Sequence, residues 1–219
     1  MAQLQEFGMT LDTLVPPRRR GRPKLADAPE KRQEILRVAT ELFLASGYRE
    51  VTTRMVAQAA GISRQTLFNL YTDKAQLFRA CLDFASPSYP ESAIDPAQPP
   101  AVVLRQFAVE LVHWLSRETG VVFSRLVLID GRNLPELADV AEENQNTHFI
   151  APLAAYLVKW DLEQPGSDAN ARIFIAMAIA QWNQAVSFGR DLPDDARTAL
   201  NADRVTDIFL SGAASQPTP

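Results

Sequence analysis

The stretch from Thr52 to Lys74, which reads VTTRMVAQAAGISRQTLFNLYTDK when begun at Val51, constrains the fold more than any other part of the chain. Val56, Ala57 and Ala60 recur at helical spacing, and Gly61 supplies a residue free to take positive φ. Ile62 and Leu67 then turn inward from a second segment. Ala57 is small enough to let that segment approach, and the Ser63 hydroxyl can cap it by accepting from an unpaired N–H. Two short helices are forced to cross, which is a helix-turn-helix. With Val56, Leu67 and Leu70 buried, the residues Thr53, Arg54, Arg64, Gln65, Thr66 and Asn69 are left facing outward. Arginine pairs bidentately with guanine, and Gln or Asn with adenine. A threonine hydroxyl or a backbone N–H at a helix start holds a phosphate. The face is that of a DNA reader, the competing reading being a solvated helical hairpin.

Charge is divided in the same sense. Up to Ala80 there are 13 basic and 8 acidic residues, and beyond it 9 and 18, so a net −4 hides a +5 module and a −9 remainder. A basic module attracts phosphate while the acidic remainder is repelled, which orients the protein on DNA. With 47% apolar and 22% charged residues, the 219-residue chain has the composition of an ordinary soluble globular protein of one or two domains. The single cysteine, Cys81, cannot close an internal disulfide and fits a reducing compartment as a small buried residue. Glu6 and Asp12 interrupt any signal-peptide pattern, and the longest strongly apolar run, 173–180, is too short to span a bilayer. The expected location is the cytoplasm.

Residues 1–28 read as a flexible arm without sustained periodicity. Within it RRRGRPK (18–24) has an RGRP core that resembles an AT-hook, in which Arg20 and Arg22 lie along the floor of a narrow A·T minor groove. The alternative is a basic tail with general phosphate affinity. The first helix starts near Pro29 with Ile35, Val38, Ala39, Leu42 and Phe43 on one stripe, and Gly47 ends it. Leu77, Phe78 and Leu82 continue helically over 74–86, up to the Pro-rich connection SPSYPESAIDPAQPP. Beyond Pro100 the periodicity is helical throughout, predicting helices at 101–119, 121–131, 135–160, 168–188 and 194–211. Pro152 falls inside the third of these and should kink it near Phe149, opening space. The fold class is therefore all-α, with a helix-turn-helix domain at 29–80 and a second helical domain at 81–219.

Residues 31–80 resemble the DNA-binding domain of the tetracycline-repressor (TetR) family. The likeness lies in LFLASGY closing the first helix, TTR opening the second, AAGIS at the turn, QTLF in the recognition helix and DKAQLF opening the fourth. The resemblance implies phosphate contacts for Thr53, Thr66 and Lys74 and base contacts for Arg54, Arg64 and Gln65. The chain departs from the family at Phe68, where Tyr is usual, and at Leu70, where His or Tyr is usual. The resemblance also implies that the last two long helices pair with those of a second copy.

For catalysis the chain offers His113 and His148 without metal spacing, no phosphate-cradling glycine loop and no nucleophile elbow, so neither an enzyme, a metal site nor a cofactor is expected. Instead Phe107, Leu111, Trp114, Phe123, Leu126 and Phe149 can wall a cavity, with His113, Arg125, Asn144 and His148 as orienting polar groups. Hydrated surface positions are the simpler alternative for each polar residue. The reading is a homodimeric transcription regulator, a repressor that releases a palindromic operator when a small, largely apolar molecule binds. The alternatives are an activator, an architectural A·T-rich DNA binder, or a helical ligand-binding protein with a vestigial DNA-binding domain.

Overall fold

The computed structural model describes residues 29–85, 89–131 and 133–213. Arg20, Arg22 and the whole arm lie outside them. Among the described residues eleven α-helices follow in order: α1 (Pro29–Glu50), α2 (Thr53–Ala59), α3 (Arg64–Leu70), α4 (Lys74–Ala85), α5 (Pro100–Ser116), α6 (Glu118–Asp130), α7 (Pro135–Gln145), α8 (Ala151–Lys159), α9 (Ala169–Ala178), α10 (Ala180–Phe188) and α11 (Asp195–Ala213). No strand occurs among the described residues. No helix there is long and apolar enough to cross a membrane.

Two cores organise the helices. The first gathers Ile35, Val38, Ala39 and Phe43 of α1 with Val56, Ala57, Leu67, Leu77 and Phe78, and is completed by Phe123 of α6 and Leu137 and Val140 of α7. Its centre is aromatic: Phe43, Tyr48 and Phe78 lie with ring centroids 5.1 to 5.8 Å apart. Each such pair adds about 0.5–1.5 kcal/mol beyond area burial. Gly47 takes φ +80°, so α1 is broken there and Tyr48 is turned back into this core. The second core packs α5 against α8, α9 and α11 through Leu104, Phe107, Leu111, Leu153, Leu157, Phe174 and Phe209.

Helix α4 lies within the first core, packing on α1 on one side and α7 on the other. Two of the sequence-predicted helices are subdivided. Around Pro152 the backbone passes through a π turn, Asn146–Ile150, in which Ala151 N–H reaches the Asn146 carbonyl. Proline has no N–H and its ring crowds the carbonyl one turn back, and a widened turn carries the helix past it. The 168–188 segment is interrupted at Ile179, where Asn201 of α11 donates to the Ala178 carbonyl at 2.9 Å.

Candidate nucleic-acid interface and regulatory site

Both helices of the helix-turn-helix carry built caps. Thr52 Oγ1 accepts from Met55 N–H at 3.2 Å to open α2, and Ser63 Oγ accepts from Thr66 N–H at 3.0 Å to open α3. Each cap satisfies a donor that the helix itself leaves unpaired, a contribution of about 1 kcal/mol. Between them Gly61 has φ +64° with open space where a Cβ would stand, so backbone conformation rather than crowding requires glycine. Lys31 of α1 donates to the Ala60 carbonyl at 2.8 Å and ties the turn to the first helix.

On the outer face Arg54, Arg64, Gln65 and Asn69 are exposed, and Thr53 and Thr66 are half-buried beside them. Gln65 Nε2 donates to Asn69 Oδ1 at 3.0 Å, which orders two amides on the exposed face. A groove of about 310 Å³ brings together Thr53, Arg64, Phe68 and Lys74 from three helices. Lys74 is anchored there, donating to the Tyr48 carbonyl at 2.9 Å with its ammonium 4.3 Å over the Tyr48 ring. Sequence reasoning did not anticipate the Thr52 cap or the outward placement of Phe68, which is 57% exposed. The signal for Phe68 was available, since it stands one helical turn from Arg64 on the same face.

The residues expected to form a ligand cavity are distributed over three places. Phe107 and Leu111 are buried in the second core. Phe123 and Leu126 pack instead into the core beneath the DNA-binding helices. Arg125 is exposed, and His113 faces out towards Asp195, 3.2 Å away. Trp114, Asn144, His148 and Phe149 do converge, and they converge on Tyr89, a residue of the Pro-rich connection that the helical periodicity passed over. Its ring lies parallel to the His148 imidazole at 3.7 Å and 5.3 Å from the Trp114 indole. Its hydroxyl accepts from Asn144 Nδ2 at 3.0 Å and donates to Asp83 Oδ1 at 3.2 Å. Burial, with the nearby Asp83 and Glu91 charges adding to it, pushes the Tyr89 phenol well above the usual tyrosine range. His148 stands 3.8 Å from Asp83 and 3.5 Å from Glu91. No cluster of three or more metal-ligating side chains occurs among the described residues.

Comparison with known proteins agrees with this geometry. Residues 35–81 match the family model described as bacterial regulatory proteins, tetR family. The HTH-type transcriptional regulator SrpR of Pseudomonas putida is 26% identical over 138 residues, a match that covers 54% of this chain and 63% of that protein. Among solved structures, a TetR-family regulator from Mesorhizobium loti MAFF303099 superimposes with a TM-score of 0.65 at 25% identity, over 84% of this chain and 96% of that one. The flavonoid-responsive regulator FrrA shares the fold, with a TM-score of 0.68 at 22% identity over 84% and 97% of the two chains.

Proposed function

We propose that the chain is a DNA-binding transcriptional regulator of the TetR family rather than an enzyme, and that it is a ligand-responsive repressor that holds a palindromic operator as a homodimer; the family-model match over residues 35–81 and the similarity to a curated regulator support this reading. In this reading the unit at 29–80 reads the operator, and the unit at 81–219 binds a small, largely apolar effector and pairs two copies. Arg54, Arg64 and Gln65 read bases, with Asn69 beside them, and Thr53, Thr66 and Lys74 hold the backbone. Arg20 and Arg22 of the arm enter the flanking minor groove. Its working place is the cytoplasm, where the DNA is.

One observation carries the effector part. A half-polar aromatic cluster of Tyr89, Trp114, Asn144, His148 and Phe149 is packed inside the C-terminal unit and hydrogen-bonded directly to Asp83, on the last turns of the helix that follows the recognition helix. A ligand entering there alters the contacts of α4 first. Spacing of the two recognition helices is the natural output, because both must meet one face of B-DNA about one turn apart. That a protein of the same fold is named flavonoid-responsive supports a small-molecule effector.

The test begins by selecting bound sequences from a random DNA pool with the purified protein, which should return an inverted repeat. Compounds that raise the thermal midpoint are then assayed for operator release. By reciprocity an effector that weakens DNA binding is itself weakened by DNA by the same factor, with couplings of about 1–3 kcal/mol usual. Tight ligands that leave operator affinity unchanged would reduce the protein to a constitutive repressor.

A further inference from the structure

Tyr89 enters from a connection outside the α-helices, and its phenol fills the place among α4, α5, the π turn and α7. It is only 9% exposed. Its hydroxyl both accepts, from Asn144, and donates, to Asp83. A single oxygen that does both is what a neutral phenol offers, whereas a phenolate or carboxylate cannot donate and an ammonium cannot accept. The surroundings hold more polar capacity than Tyr89 uses. Trp114 Nε1 is buried with no acceptor among the described residues, and His148 Nδ1, 3.5 Å from Glu91, closes no hydrogen bond. Both atoms belong to rings that pack on Tyr89.

We propose that Tyr89 is an internal occupant of the effector site, and that the effector is a flat, uncharged phenol larger than the tyrosine ring. This rests on the ligand-responsive reading above and names the chemistry of its ligand. The effector displaces Tyr89, takes over the Asn144 and Asp83 hydrogen bonds, stacks on the His148 ring and presents an acceptor to Trp114 Nε1. Anionic aromatics are excluded by Asp83 and Glu91, which flank the same space. Displacement also unties the turn Pro90–Ala93 from α4, because Tyr89 immediately precedes that turn and Asp83 belongs to the helix. The plug and the effector compete for one place, so apparent effector affinity is reduced by the fraction of molecules in which Tyr89 is seated.

p-Cresol, the tyrosine side chain as a free molecule, is the probe, with toluene lacking the oxygen and 4-methylbenzoate carrying a charge. Full-length wild type, Tyr89→Phe and Tyr89→Ala are compared by calorimetric titration and thermal melting. Tyr89→Ala should be stabilised by p-cresol, less by toluene and not by 4-methylbenzoate. An emptied aromatic site takes up a small aromatic in this way. Tyr89→Phe keeps the ring but loses both hydrogen bonds, so p-cresol should bind it roughly tenfold more tightly than wild type. If Tyr89→Ala does not fold unaided, the Tyr89→Phe comparison decides by itself. No gain in Tyr89→Phe, or toluene equal to p-cresol in a folded Tyr89→Ala, would make Tyr89 an ordinary core residue and overturn the proposal. The expected binding order with operator affinity unchanged would keep the site and remove the inducer reading. A different compound that releases the operator while p-cresol binds no variant would remove the site and keep that reading.

Discussion

Phe78 of α4 meets Phe123 of α6 edge to face, with ring centroids 5.2 Å apart at 87°. The core beneath the recognition helix is thus finished by a side chain from beyond the Pro-rich connection. One residue further along α4, Arg79 reaches Glu143 of α7 with Nη1 2.8 Å from Oε1. The two contacts differ in weight. Phe123→Ala should cost about 3–5 kcal/mol by leaving a cavity against Phe78. Arg79→Ala should cost under about 1 kcal/mol, since both partners are well exposed. Denaturant unfolding of both variants measures the difference. A Phe123→Ala protein of wild-type stability would mean that the helix-turn-helix core closes without α6.

The DNA face should separate into two kinds of residue. Arg64→Ala should lose about 1–3 kcal/mol on the operator and relax choice at one base pair. Lys74→Ala should weaken operator and random DNA alike and lower the salt slope by about one unit. It should also lower the melting temperature, because the Lys74 ammonium is bonded to the Tyr48 carbonyl and stacked over its ring. Affinity against salt concentration, on both DNAs, distinguishes the pair. Equal loss on both DNAs for Arg64→Ala would remove it from base reading.

The helix-turn-helix was legible because its requirements are local. Gly61, Ser63 and the apolar spacing each act within a few residues, and each stands as expected. The surroundings of Tyr89 were not legible in the same way. Periodicity marks Trp114 and Phe123 alike as inward-facing, but only the path of the chain decides that one faces Tyr89 and the other Phe78. Tyr89 sits among prolines, where no period exists to flag it. Pro152 was read as a source of space, yet a π turn absorbs it and aromatic rings are packed beside it. For Arg20 and Arg22 the sequence motif stands alone.

Cys81 should be chemically silent in the folded protein. Burial pushes its thiol up to about 12, from a reference of 9.0, and its sulfur lies 3.8 Å from the Leu36 carbonyl oxygen. A thiol raised on folding contributes stability that is fully present below 9.0 and is lost as pH rises towards about 12. A disulfide reagent at pH 8 should therefore find no reactive thiol in native protein and one in unfolded protein. Stability should also fall across that alkaline window less steeply in Cys81→Ala. Rapid native labelling would show instead that the thiol is accessible in the folded protein.

The arm should act through the DNA flanking each half-site. Exchanging flanking A·T pairs for G·C should weaken the intact protein and hardly affect an Arg20→Ala, Arg22→Ala double variant, because narrow A·T grooves concentrate the potential that attracts arginine. Footprints on the two DNAs give the comparison. Equal sensitivity of both proteins to the flanks would assign the effect to DNA shape under the helices instead.

Assembly is the most exposed of these expectations to a simple measurement. Along α11, Leu200 and Ile208 stand two helical turns apart on one face, 70% and 53% exposed. With Met177 and Ala180 they line an open, mainly apolar groove of about 400 Å³, bordered by Arg197, Arg204 and Gln181. Ile173, 52% exposed, lies one turn before Met177 on α9. Large apolar side chains exposed together beside a polar rim are unusual on a monomer and usual at an interface. Two-fold pairing of this face would place two recognition helices on one side of the duplex, as inverted half-sites about 34–36 Å apart require. Leu200→Asp or Ile208→Asp should give a folded monomer with greatly reduced operator affinity. Ile175→Asp and Val186→Asp should behave differently, because both side chains are buried in the protomer's own core, where an unpaired carboxylate unfolds the chain before any dimer can dissociate. Sedimentation at micromolar concentration, paired with circular dichroism, separates dissociation from unfolding. A wild-type monomer, or a Leu200→Asp, Ile208→Asp protein that still sediments as a dimer, would move the interface off this face.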